Sequence, residues 1–116
     1  MSDIIDLATQ LGKAIASSSE AARLRDARKA LEAETDTLRT LQDYHKQSDK
    51  VAELESQNKP VEIADKHRLQ ELHDKLVSQS TFKKFTAAQV DYIDLMRRVN
   101  DTLRRQLGEI EADAQA

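Results

Sequence analysis

The chain has 116 residues, 39% of them apolar, 34% charged and 3% aromatic, with a net charge of −3; this is the length of one domain, with more charge than a globular core usually accompanies. The mild negative charge argues against a general nucleic-acid binder, and the lack of cysteine excludes disulfides, thiolate zinc sites, cysteine-held iron–sulfur clusters and cysteine nucleophiles. No apolar run reaches the roughly 18–20 residues of a membrane span, and Met1-Ser2-Asp3-Ile4-Ile5-Asp6 has no basic segment leading an apolar one, so no signal peptide is expected and the cytoplasm is the expected location.

The strong helix breakers are Gly12, Pro60 and Gly108. Ile4, Ile5, Leu7, Ala8, Leu11 and Ile15 recur at three- and four-residue steps, which predicts a short first helix with Ser2 or Asp3 as its N-cap. Gly12 lies inside it, where glycine costs about 1 kcal/mol against alanine; close approach of another helix is the expected reason. Ser17-Ser18-Ser19-Glu20 marks a break, with Ser17 and Glu20 at capping-box spacing. A second helix follows through Leu24, Ala27 and Leu31. The apolar spacing pauses at Glu34-Thr35-Asp36, predicting a kink or a new helix start, and resumes through Leu38, Leu41, Tyr44, Ser48, Val51 and Leu54. These two stretches are compatible with one continuous helix or with two.

Gln57-Asn58-Lys59-Pro60 is the clearest turn. Proline disfavours helix at the residue before it and is favoured at the first helical position, so a fourth helix is expected from Pro60, with Leu69, Leu72 and Leu76 on its face. Ser78-Gln79-Ser80 is the next break, with Ser80 as the expected N-cap. The last helix carries Phe82, Phe85, Gln89, Tyr92, Met96, Val99, Leu103, Gln106 and Ile110, an alternation of three and four that fits a coiled-coil seam; Leu95 and Leu107 widen it. Disorder is expected, if anywhere, in the tail after Ile110. The stretch from Leu38 to Leu76 reads as a helical hairpin with its tip near Pro60. The expected fold is therefore all-α: a helical bundle with a long hairpin and a coiled-coil-like C-terminal helix, one domain over residues 1–116. Narrow apolar stripes leave little core, so self-association is expected to supply the rest.

Little in the residue chemistry suggests catalysis. His67 and His73 are six apart, about 600° of helical rotation, and so share no face as metal ligands would; His45 is in another helix. Asp91, Asp94, Asp101, Glu53, Glu55, Glu71 and Asp74 have no partner in the pattern that would tune a pKa. No phosphate loop or Ser–His–Asp order is present. No enzyme, cofactor or metal is expected.

Two constellations remain. Lys83-Lys84, Arg97-Arg98 and Arg104-Arg105 recur at multiples of seven and so form one side of the last helix. With Asp91, Asp94 and Asp101, residues 81–107 carry +3 and the rest of the chain −6. Such a ridge would meet RNA phosphates or an acidic partner, or simply flank a seam and pair with acids on a neighbouring helix; the interrupting aspartates and the scarcity of aromatics for base stacking favour the second. Phe82, Phe85, Tyr92, Met96, Val99 and Leu103 follow the heptad and are the expected oligomer interface.

The run Ile4-Ile5-Asp6-Leu7-Ala8, then Leu11-Gly12-Lys13-Ala14-Ile15, resembles the opening of the YlbF/YmcA family of small bacterial helical proteins. Ser19-Glu20, Leu24 and Ala27 continue the pattern. Glu34-Thr35-Asp36 falls where the family often has Asp-Pro-Glu, before a helix reaching Leu41 and Tyr44. Lys59-Pro60 falls at its hairpin turn, and Phe82, Phe85, Ala88, Tyr92, Leu95, Val99 and Asn100 are similar to its final helix. The resemblance implies a self-associating, non-catalytic cytoplasmic helical protein. Better-known members are regulatory adaptors whose complex influences the messenger-RNA endonuclease RNase Y, and through it competence, sporulation and biofilm formation. The iron–sulfur cluster associated with some members needs cysteines, and does not carry over.

The expected function is thus a helical adaptor working through protein contacts, with itself as a dimer or tetramer, with family paralogues or with a ribonuclease complex. Nucleic acid would be met indirectly, and no membrane insertion is expected. Two other classes stay open: an RNA-binding module using the ridge from Lys83 to Arg105, and a coiled-coil holdase. The polar hairpin tip, Glu55-Ser56-Gln57-Asn58-Lys59-Pro60, counts against the holdase.

Overall fold

Helical spacing in the sequence becomes helix almost throughout. The structure, a computed structural model, describes residues 3–115. These form six helices and no strand: α1 (Ile4–Ala16), α2 (Ser19–Ala33), α3 (Thr35–Ser56), α4 (Ile63–Val77), α5 (Ser80–Leu107) and α6 (Glu109–Gln115). The all-α class is as expected. The chain divides into two compact units, one built from residues up to Arg25 with those from Ala87 on, the other from Asp26–Thr86. Helices α2 and α5 contribute to both.

In the first unit, Asp3 caps α1. Its carboxylate accepts the Asp6 N–H at 2.7 Å, and the Asp6 carboxylate accepts the Asp3 N–H at 3.5 Å, a reciprocal capping box. Ser2, the other expected cap, lies outside the described residues. The expected box between Ser17 and Glu20 does not form. The Ser17 hydroxyl turns back to the Lys13 carbonyl at 2.8 Å and closes α1. Ser18 opens α2 instead, accepting the Ala21 N–H at 3.1 Å. A cap belongs to the residue just before the first helical one. With α2 starting at Ser19, Glu20 is therefore the second helical residue, not the third. Glu20's own backbone N–H and the Ser19 hydroxyl hold its carboxyl below the usual range, with Arg23 and Arg98 adding to the effect.

In the second unit, Glu34 alone separates α2 from α3. Its extended backbone (φ −99°, ψ 92°) breaks the helix, so the two stretches are separate helices. The buried face of α3 is turned by one residue from the expected stripe: Thr37 and Thr40 are buried, at 5% and 3% exposure, while Leu38 and Leu41 are half-buried. Threonine is tolerated there because its hydroxyl is satisfied. Thr40 donates to the Asp36 carbonyl at 2.9 Å and Thr37 to the Glu34 carboxylate at 3.1 Å.

Helices α3 and α4 pack against each other as the expected hairpin. Its tip shows why Pro60 does not start α4. Asn58 takes the left-handed conformation (φ 55°); its N–H donates to the Glu55 carbonyl, and the Lys59 N–H to the Leu54 carbonyl at 2.9 Å. This pair of bonds is a Schellman closure of α3, with asparagine where glycine is commoner. Pro60 then sits just past the closed end, where it blocks continuation of α3, and α4 begins three residues later behind Glu62. Leu72 and Leu76 are buried on α4 as expected and Leu69 is half-buried.

A polar clasp fastens the hairpin. The Gln47 amide donates to the Asp65 carbonyl at 2.9 Å, and Lys50 Nζ meets the Asp65 carboxylate at 3.0 Å. Lys50 and Gln47 hold the Asp65 carboxyl below the usual range. A carboxylate whose pKa is lower folded than unfolded adds stability above its unfolded value, which is lost as the pH falls through its folded value. The hairpin is expected to weaken on acidification below about pH 4. Lys50→Met should flatten that dependence in urea midpoints measured against pH; an unaltered profile would mean the pair is not coupled to folding.

At the start of α5 the Lys83 N–H bonds the Gln79 carbonyl at 3.1 Å, so Ser80 is the first helical residue and the cap position falls one earlier than expected. Helix α5 stops at Leu107, where Gly108 takes φ +51° and its N–H bonds the Arg104 carbonyl at 2.9 Å. Glycine enters this region without steric cost. Of the tail after Ile110, the described residues 111–115 are helical, in α6, not irregular.

Candidate interaction surface

The expected seam on α5 falls in two parts. In the second unit Phe82 and Phe85 are half-buried; in the first, Tyr92, Met96 and Val99 are half-buried and Leu103 is 47% exposed. Tyr92 and Met96 line an open apolar cleft of about 430 Å³ whose other walls are Gly12, Ile15 and Ala16 of α1 and Ala21, Leu24 and Arg25 of α2. Arg25 also donates to the Ala16 carbonyl at 3.1 Å, fixing the end of α1. The expectation for Gly12 needs correction within the chain: a Cβ built there meets nothing within 4 Å, so no helix among the described residues packs closely against it.

A bare apolar surface lies where periodicity marked a helix face without saying whether it would be covered. Helix α1 has no buried residue among those described. Ile4 and Ile5 are 82% and 70% exposed, and Leu7 and Leu11 also face solvent. Val90 and Ile93 of α5 are exposed as well; the signal for them was their three-residue spacing off the heptad. Ile93 borders a second groove with Met96, Asn100, Arg97 and Arg104.

The basic residues are all exposed, Lys83 and Lys84 on the second unit and Arg97, Arg98, Arg104 and Arg105 on the first. Arg97 is paired with Asp94 of its own helix, not with a neighbouring one, and Arg98 is close enough to Glu20 to lower its pKa. The arginines thus share their face with carboxylates. His45, His67 and His73 are exposed, and Tyr44 has its ring edge against His45 and lies tilted against His73, with centroids 6.1 and 6.2 Å apart. Among the described residues no metal-ligand group of three or more assembles and no helix is long and apolar enough to cross a membrane.

A sequence profile of the family described as "Control of competence regulator ComK, YlbF/YmcA" matches residues 4–108. Comparison with curated proteins and with solved structures found no match. The matched span takes in α1 to α5 and Gly108, and so includes the exposed face of α1, the cleft and the basic residues.

Proposed function

The chain belongs to the YlbF/YmcA family, and on that premise we propose that it is a non-enzymatic helical adaptor of the cytoplasm, regulating through protein contacts. The observation that carries this reading is the match of 105 residues, 4–108, to a family linked to control of the competence regulator ComK. Its partners are itself, family paralogues and an RNase Y-linked ribonuclease complex, as the resemblance implies. The surface supports it: apolar side chains exposed along α1 and α5 are what protein contacts cover.

Direct RNA binding is the weaker alternative, because the arginines are interleaved with Asp91, Asp94 and Asp101, which repel phosphates. A holdase is weaker again, given the polar hairpin tip. A tagged pull-down from the native cell, with and without nuclease, separates these. The expected result is a ribonuclease or sister family proteins retained after nuclease. Loss of every partner on nuclease treatment would overturn the adaptor in favour of RNA binding; suppression of client aggregation by the purified protein would favour the holdase.

A further inference from the structure

We infer that α1 is the contact helix of a two-fold dimer, lying antiparallel to α1 of a second copy. The inference rests on the reading of this protein as one that works through protein contacts, and names the surface and the partner. Ile4, Ala8, Leu11 and Ile15 repeat at steps of four, three and four, a seam of coiled-coil spacing. Of these only Ile15 is even half-buried.

The seam matches itself when reversed. Antiparallel pairing sets Ile4 opposite Ile15 of the second copy and Ala8 opposite its Leu11. On the flanks Ile5 falls opposite Gly12, and Leu7 opposite Ala14. Three of the four pairs join a large side chain to a small one, which lets two helices approach closely. This accounts for Gly12: it costs the helix stability, meets nothing within its own chain, and receives Ile5 of the second copy.

Two further observations fix the occupant and the direction. The same register brings Ile4 and Ile5, the two most exposed large apolar side chains of α1, to the level of Gly12, Ile15 and Ala16 of the second copy. Those three residues are α1's share of the apolar cleft. Charge selects antiparallel over parallel: Asp3 and Asp6 lie at one end of α1 and Lys13 at the other. Antiparallel packing sets acidic ends beside basic ones and opposes the helix dipoles, whereas parallel packing gathers four carboxylates at one end.

The test uses the full chain, whose lack of cysteine makes introduced thiols clean probes. The wild type should scatter light as an even multiple of 13.1 kDa. Gly12→Leu should at least halve that mass with helical circular dichroism retained, since its side chain points into open space in the monomer. Ile5→Glu, at an exposed position, should do the same. Under mild oxidant the double variant Ile4→Cys with Ile15→Cys should form covalent dimers in high yield. Either single variant should stay near the level of Ile63→Cys, an exposed position outside α1. A monomeric wild type, an unchanged mass in both Gly12→Leu and Ile5→Glu, or cross-linking of Ile4→Cys alone as efficient as that of the double variant would overturn the inference. A monomer that still retains its partners in the pull-down would leave the adaptor reading standing; a dimer that retains none would do the reverse.

Discussion

Leu76→Ala is expected to cost about 2–5 kcal/mol, enough to take a large part of the stability of a small domain. Leu76 is 2% exposed and is the largest fully buried side chain among the described residues. Truncation removes its transfer free energy and leaves a cavity that the surroundings refill only in part. The second unit has few other residues with which to compensate. Its buried side chains are Leu31, Leu72 and Leu76 and the two threonines of α3. Val77, the next residue on α4, is 38% exposed, and Val77→Ala should cost well under half as much. Urea unfolding followed by circular dichroism separates the two. Equal midpoints for the variants would show that the core does not centre on Leu76.

The contrast between Leu76 and α1 shows what was legible before the structure. Both were marked by the same three-and-four spacing. Spacing reports that a helix has an apolar face, and it placed the hairpin of α3 and α4 and the buried leucines of α4. It does not report what covers that face. Leu76 is covered within the chain, whereas Ile4 and Ile5, equally regular in sequence, are bare. The heptad on α5 hid a similar difference, half-buried as far as Val99 and open from Leu103.

Boundaries were less legible than faces, for local reasons. At Ser17-Ser18-Ser19 three adjacent hydroxyls can all cap, and spacing to Glu20 could not choose among them; the onset of α2 at Ser19 did. Pro60 suits both the start of a helix and the position after one. The choice was made upstream, by Asn58 entering the left-handed region and closing α3. The turn of the α3 stripe onto Thr37 and Thr40 was hidden because burial of threonine depends on where its hydroxyl finds an acceptor. For Thr37 that acceptor is Glu34, a residue whose neighbourhood read as a kink or a new helix start, with no sign of a buried hydroxyl beside it.

Glu34→Ala is therefore expected to cost about 1–3 kcal/mol, although Glu34 is itself exposed. Its side chain does not cap α3. It accepts two hydroxyls, from Thr37 at 3.1 Å and from Thr81, 47 residues along the chain in the first turn of α5, at 2.8 Å. Removing the carboxylate leaves the buried Thr37 hydroxyl without its acceptor, and an unsatisfied buried donor costs about 1–3 kcal/mol. Glu34→Gln keeps an acceptor oxygen and should cost less. The pairing itself is read by a double-mutant cycle. Thr37→Val removes the donor in nearly the same shape, so once it is in place the further loss of Glu34 should cost much less than in the wild type, a coupling of about 0.5–3 kcal/mol. Strict additivity of Glu34→Ala and Thr37→Val in urea midpoints would refute that account. The break between α2 and α3 would then have to be held by its backbone alone: the Glu34 N–H on the Leu31 carbonyl at 3.1 Å and the Leu38 N–H on the Glu34 carbonyl at 2.9 Å. Those two bonds are local and would form as readily in a kinked single helix. The tie to Thr81 is a long-range contact at the residue where this stretch, without glycine or proline, divides.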